Sequence, residues 1–107
     1  MKRFICRYTY ANGEEDTWSG TVRLIRENSG MVEAFVSGRS TGLAILIGTY
    51  ENGHFICIPD INVGCPLSTH WDDLFWNIEH LSKLMNETDA VTVACAVKEL
   101  YRIGILG

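Results

Sequence analysis

The chain has 107 residues, of which 47% are hydrophobic and 21% are charged. This length fits one domain, and the composition excludes a disordered, collagen-like or coiled-coil protein. Thirteen acidic and nine basic residues give a net charge of −4, which argues against attraction of the whole surface to nucleic acid or an anionic membrane. Apolar runs such as 43–47 are too short to cross a bilayer, so we expect a cytoplasmic protein with reduced cysteines.

The first predicted elements are two strands joined by a turn. Polar and apolar side chains alternate over 2–10 and again over 17–24, which is the period of a half-buried strand. Asn12-Gly13 between them is typical of a hairpin turn. The turn carries an acidic tip of Glu14, Glu15 and Asp16. The polar face of the hairpin is predicted to present Arg3, Arg7, Thr9, Thr17, Ser19, Thr21 and Arg23.

Three more strands are predicted over 31–37, 43–50 and 54–58, separated by turn residues at 28–30 and at Asn52-Gly53. The strand at 43–50 is apolar on both sides, so it belongs in the middle of a sheet or under additional cover. The stretch 60–67 is expected to be irregular. Consecutive hairpins of this kind predict a five-stranded antiparallel meander.

Two helices are predicted in the C-terminal third. Thr69 and Asp72 are a capping pair for a first helix that runs to about Asn86. A second helix begins near Thr88 or Asp89 and stops at Gly104. The buried stripes are expected to be Trp71, Leu74, Phe75, Ile78, Leu81 and Met85, and then Ala90, Val93, Ala94, Val97, Leu100 and Tyr101. Strands followed by helices predict a single α+β domain over 1–107, with both helices packed on one face of the sheet.

A zinc site is the first chemistry to consider. Cys57, Cys65 and His70 lie within fourteen residues, with Cys6 or His54 as a fourth ligand. The spacing is not that of a zinc finger, and free cysteines are commonly small buried hydrophobes. We therefore predict no metal and no cofactor, with a small zinc-binding domain as an alternative. The remaining cysteine, Cys95, is predicted on the polar side of the second helix with Thr92, Glu99 and Arg102.

The best catalytic arrangement uses Cys65 as a nucleophile and His70 as its base, oriented by Asp72 or Asp73. Residues of these types lie near one another by chance in many proteins. The sequence also has no phosphate-binding loop, nucleophile elbow or His-Glu-x-x-His motif. We therefore predict that the chain is not an enzyme and takes no small-molecule substrate.

Two binding surfaces have better support. Trp76 falls opposite the core stripe of its helix, beside Asp72 and His80, and an aromatic residue on a polar helix face is typical of a partner anchor. Its alternative is cover by the second helix or by 60–67. The acidic turn of Glu14, Glu15 and Asp16 adds a surface for a basic partner. The second surface, with Arg3, Arg7 and Arg23, suits phosphate contacts but lacks an aromatic platform, and a solvated sheet face is its alternative.

Four segments resemble a family of small proteins carried on plasmids, conjugative elements and prophages of Firmicutes. They are YTYANGEEDTWSGTVRL at 8–24, FICIP at 55–59, FWN at 75–77 and DAVTV at 89–93. No activity is assigned to that family, so the resemblance transfers no residue role. In size and setting its members are similar to anti-CRISPR proteins, which inhibit Cas9. This implies a non-catalytic inhibitor that binds a host nuclease, with a nucleic-acid-binding accessory protein as the alternative.

Overall fold

The molecule is built on a six-stranded sheet. The computed structural model describes residues 2–24, 32–37, 42–50, 53–67 and 73–106. The strands are β1 (Lys2–Thr9), β2 (Glu15–Leu24), β3 (Val32–Ser37), β4 (Gly42–Tyr50), β5 (Gly53–Ile58) and β6 (Val63–Leu67). They lie in this order with antiparallel pairing, so each strand pairs with its neighbours in the sequence. The α+β class and the antiparallel meander are confirmed, with six strands where five were predicted.

The sixth strand corrects the prediction of an irregular segment over 60–67. A 3-10 turn at Pro59–Ile61 reverses the chain, and Asn62 completes the reversal with a φ of 52°. β6 then pairs with β5 from Ile58 and Val63 onward. The sequence hid this strand because Gly64 and Pro66 are unusual in strands, but an edge strand tolerates proline since one row of its N–H groups needs no partner.

The apolar core lies on one side of the sheet, which we call the inner face. Side chains alternate along each strand, so every second residue of β1 to β6 points to this face. The opposite side is the outer face. The buried inner-face residues are Phe4, Cys6, Trp18, Val22, Ala34, Val36, Leu43, Ile45, Ile47, Ile56, Ile58 and Cys65.

The first helix, α1 (Leu74–Leu81), is shorter than predicted. It begins after Asp73, whose carboxylate accepts a hydrogen bond from the Trp76 N–H at 3.1 Å. It ends at Leu81, and Asn86 takes an extended conformation that separates the two helices. The prediction of one continuous helix to Asn86 was wrong because the periodicity continues through the turn at 82–85. The predicted cap Thr69–Asp72 lies outside the described residues, as do Trp71, the turn at 28–30 and Asn52.

The second helix, α2 (Glu87–Arg102), is buried almost all round. All nine consecutive residues from Asp89 to Val97 in this helix are buried. α2 packs against β1 and β3 on one side and against α1 on the other, so no face of its central turns meets water. The predicted polar side was therefore wrong for Cys95 and Thr92, which are buried, whereas Glu99 is half-buried and Arg102 is exposed as that side requires. Gly104 follows the helix with a φ of 82°, as a helix stop requires.

The two helices thus lie on the inner-face side in succession, with α1 outside α2. This order leaves α1 at the surface of the molecule. Neither helix is long and apolar enough to cross a lipid bilayer within the described parts of the chain.

Candidate functional site

The burial of α1 side chains differs from the prediction at two positions, Phe75 and Asn77. Asn77 and Leu81 are buried, whereas Phe75 is 74% exposed. Successive residues are 100° apart, so the buried stripe centres between Asn77 and Ile78, and Phe75 lies about 110° away from its centre. Phe75 is therefore a surface residue rather than the core residue predicted, and the polar Asn77 takes the buried position.

Trp76 and His80 form the centre of this surface. The indole and imidazole rings stack with centroids 5.0 Å apart and an angle of 12° between their planes. The two residues are one helical turn apart, which places their side chains side by side. Both are half-buried. Together with Glu79 and Lys83 they line a small open pocket. We call Phe75, Trp76, Glu79, His80 and Lys83 the α1 surface.

The other residues predicted for partner binding lie elsewhere. Asp72 is outside the described residues. Glu14 is exposed in the turn between β1 and β2, whereas Glu15, also exposed, and the half-buried Asp16 are the first residues of β2, paired with Thr9 and Tyr8. The predicted acidic turn is therefore corrected, because only Glu14 of the three lies in the turn itself. The turn is ordered by a hydrogen bond from the Glu14 N–H to the Asn12 side chain at 2.9 Å. The structure therefore pairs Trp76 with His80 and places the acidic residues on a different element.

The predicted arginine face is present but is not purely basic. Arg7 forms an ion pair with Glu15 on β2, with Nε and Oε1 3.4 Å apart. The pair lowers the positive charge available to phosphate. Arg3 lies opposite Thr21, and Thr21 lies opposite Phe35 on β3. The backbone of Arg23 pairs with that of Glu33 on β3.

The same face also carries aromatic residues, which corrects the expectation of none. Phe35 on β3 and Phe55 on β5 are exposed on the outer face with the β1 arginines. The hairpin alone does not contain them, and only the pairing of β2 with β3 and of β4 with β5 brings them to this side.

One comparison with known proteins gives a match, and it is a match of the sequence. Residues 2–104 match the profile of a family of unknown function, DUF6618. The chain belongs to the DUF6618 family. No curated protein and no solved structure matches the chain. Because no function is attached to the DUF6618 family, the setting on mobile elements and the nuclease partner stay predictions.

The cysteines of this DUF6618 member do not converge on one point. Cys57 lies opposite Gly64, and Cys65 lies opposite Ile56 on the buried side of the same strand pair. Cys57 and Cys65 therefore point to opposite faces of the sheet and cannot share a zinc ion. Cys6 is on β1 at the far edge, and His70 is outside the described residues. Across the described ranges, no three Cys, His, Asp or Glu residues are grouped as metal ligands.

The predicted nucleophile is unfavourable in this position. Burial raises the pKa of the Cys65 thiol above its ordinary value, because removal from water penalises the thiolate. A protonated thiol is a poor nucleophile. Burial thus disfavours Cys65 as a nucleophile, and its candidate base His70 lies outside the described residues.

Two buried polar groups were missed by the sequence. Asn77 is 1% exposed, and in the described structure neither polar atom of its amide has a hydrogen-bond partner. The indole N–H of Trp18 is also buried without a hydrogen-bond partner among the described residues. An unpaired buried polar group costs about 1–3 kcal/mol. Asn77 lies three residues after Leu74 and four before Leu81, which is the spacing of one helix face and could have predicted its burial. The prediction passed over it because core positions were assigned to apolar residues alone.

Proposed function

We propose that this protein is a non-catalytic binding module that docks onto a protein partner through the α1 surface. The observation that carries the proposal is the exposure of Phe75, a residue that is 74% exposed. Of the exposed large hydrophobic residues in the described ranges, it is the most exposed. A large apolar side chain left in water beside a second aromatic residue is typical of an interaction site.

The composition of the α1 surface supports a protein partner. Phe75 and Trp76 supply apolar area, and Glu79 and Lys83 supply charges of both signs around it. Aromatic anchors surrounded by polar residues are the usual composition of binding hot spots. The stack of Trp76 on His80 holds the indole in one orientation, so less side-chain entropy is lost when a partner binds.

The specific partner that we propose is a host defence nuclease, Cas9. The module would inhibit it by occluding its surface or by trapping one of its conformations. A net charge of −4 and the acidic residues Glu14, Glu15 and Asp16 favour a basic nucleoprotein over an acidic one.

The test is to titrate this protein into purified Cas9 bound to its guide RNA. Calorimetry measures the binding, and the rate of DNA cleavage measures the inhibition. We expect stoichiometric binding and a matching loss of cleavage. Phe75→Ala and Trp76→Ala should each weaken binding by about 2 kcal/mol, roughly thirty-fold in Kd. Ile5→Ala is the matched control because Ile5 is also a large exposed apolar residue, 61% exposed, on β1.

Two outcomes would count against the proposal. Absence of binding to Cas9 removes the nuclease as the partner. If tagged wild type and the Phe75→Ala/Trp76→Ala double variant recover the same proteins from a Firmicute lysate, the α1 surface is not the docking site. Circular dichroism and thermal unfolding of the variants keep loss of fold separate from loss of binding.

A further inference from the structure

The outer face of the sheet carries an apolar patch centred on β3, β4 and β5, where an uncovered sheet is usually polar. Ile5, Phe35 and Phe55 are 61%, 52% and 46% exposed on this face. Antiparallel sheets with one face in water normally alternate apolar residues inside with polar residues outside. The half-buried residues between and beside the phenylalanines continue the apolar area and are Ala44, Leu46 and Cys57.

β4 shows this property most clearly. Its inner-face residues Leu43, Ile45 and Ile47 are fully buried, and its outer-face residues between them are Ala44 and Leu46. A strand that is apolar on both sides is typical of a sheet covered on both faces. The described helices lie on the inner-face side. Within the described parts of the chain, the outer side of β4 is therefore open to a partner.

The charges on the outer face favour a protein over nucleic acid. Arg3 and Arg7 lie on it, and so do Glu15 and Glu33. Arg7 is already paired with Glu15 at 3.4 Å. Nucleic acid binding needs a surface of one sign, because affinity arises from neutralised phosphates. Among the residues whose side chains are described, this face carries charges of both signs, so a second copy meets less repulsion there than on a face of one sign.

The area of the face is sufficient for a dimer. Six strands about 4.8 Å apart and roughly 20 Å long give a face of about 500 Å² in flat projection, so two copies bury about 1,000 Å² before the relief of side chains is added. A specific interface needs about 1,000–1,200 Å² in total.

We propose that two copies of this chain form a dimer by packing their outer faces against each other, with Phe35, Leu46 and Phe55 at the centre of the interface. Two sheets packed in this way form an aligned sandwich about 10 Å thick. The two-fold axis runs parallel to the strands, because an axis across the strands would stack the β1 arginines of the two copies. The α1 surfaces then point outward on opposite sides, which makes the dimer bivalent.

The test is sedimentation velocity over a wide range of concentration. The chain has a mass of 12.0 kDa, so the wild type should approach twice that mass. The Phe35→Glu/Phe55→Glu double variant should sediment as the monomer at every concentration. Phe75→Glu, the same substitution at an exposed phenylalanine on α1, should keep the dimer.

A second measurement uses the unmodified chain. Of the four cysteines, Cys57 alone is not buried, and it lies on the outer face. Dimerisation covers Cys57, so its rate of reaction with an aromatic disulfide reagent should rise several-fold on dilution. This readout does not depend on the folding of a variant.

A wild-type chain that stays at monomer mass at the highest concentration would overturn the proposal. So would a double variant that keeps the dimer mass, which would place the interface elsewhere. Binding of a fluorescent single-stranded oligonucleotide that falls steeply with salt and is lost in Phe55→Glu would assign the outer face to nucleic acid instead. The proposal does not rest on the α1 surface, which the Cas9 titration tests separately.

Discussion

Phenylalanine rings cover glycines of the neighbouring strand at three places in the sheet. Phe4 lies across Gly20 on the inner face, and Phe35 and Phe55 lie across Gly42 and Gly64 on the outer face. Glycine leaves backbone uncovered, and a ring from the next strand restores the packing. The rings and glycines are therefore matched pairs, and the space above each glycine differs from pair to pair.

Gly20→Ala should destabilise the domain by about 1–3 kcal/mol, because the new Cβ would collide with the buried Phe4 ring. Gly64→Ala is the matched control, since its Cβ would lie 3.5 Å from the Phe55 ring in ordinary contact. Urea unfolding of both variants measures the difference. Adding Phe4→Leu to Gly20→Ala should recover part of the loss. Equal stability of the two single variants would contradict this account of the pairs.

The thiols of Cys6 and Cys95 make stability sensitive to alkali. Burial raises the pKa of each thiol to about 12, and neighbouring Cys95 and Glu99 add to the effect at Cys6. The unfolded chain loses these protons near pH 9 while the folded chain keeps them. The free energy of unfolding is therefore fully retained below pH 9 and decreases as pH rises from about 9 toward 12.

We expect the Cys6→Ala/Cys95→Ala double variant to show a shallower decrease over that range. Denaturant midpoints measured at a series of pH values check this. Between about pH 6 and 8 the two proteins should have parallel profiles, because neither thiol releases its proton there. Identical alkaline slopes for both proteins would show that the thiols do not contribute.

At this scale the sequence predicted Trp76 and His80 as neighbours, because helical spacing alone decides that contact. It placed Phe75 in the buried stripe and left Asn77 out of it, which was wrong for both residues. Periodicity indicates which side of a helix is apolar on average, but it favours phenylalanine over asparagine at every uncertain position. Only the packing of α1 on α2 settles which of the two is buried.

At the scale of elements, Asn86 separates the two helices. Its side-chain oxygen accepts the Asp89 N–H at 2.8 Å, and its side-chain nitrogen donates to the Asp89 carboxylate at 2.8 Å. The first bond satisfies an N–H that has no partner within the helix. These two hydrogen bonds between Asn86 and Asp89 fix the start of α2 as a helix separate from α1.

Asn86→Ala should lower the free energy of unfolding by about 1–2 kcal/mol, as the loss of a helix cap does. Asn86→Ser keeps the oxygen acceptor and loses the bond to the Asp89 carboxylate, so it should fall between the wild type and Asn86→Ala. Urea denaturation followed by far-ultraviolet circular dichroism measures both. An alanine variant as stable as the wild type would mean that the cap is not needed for α2.

The elements that the sequence predicted well are those with local signals. Alternation predicted β1 and β2, and Gly104 predicted the end of α2. β6 was missed because its five residues include Gly64 and Pro66, and the pairing with β5 that stabilises it is a contact between strands. The outer face was missed for the same reason, since Phe35 joins the arginines of β1 only through pairing across β2.

At the scale of the whole molecule, α2 joins the sheet to α1. It contacts both, and its residues from Asp89 to Val97 are buried on every side. A segment buried in this way has no independent stability outside the domain. Loss of α2 packing therefore removes the support of the sheet and of α1 together.

Leu100→Ala should destabilise the domain by about 2–5 kcal/mol, because Leu100 is fully buried and its truncation leaves a cavity. Unfolding curves from circular dichroism and from tryptophan fluorescence should still coincide, since Trp18 in β2 and Trp76 in α1 depend on the same helix. Leu84→Ala, at a residue 45% exposed, should change stability by no more than about 0.5 kcal/mol. Separate transitions for the two probes would contradict a single cooperative unit.

The order of the elements also governs events during synthesis. All six strands leave the ribosome before α2, so a nascent sheet presents its apolar inner face without the helix that covers it. At about 5–20 residues per second this interval is on the order of seconds. During this interval the uncovered inner face is the surface at which a nascent chain can aggregate or be bound by a chaperone. A messenger or protein cut between β6 and α2 yields a chain that we expect proteases to remove.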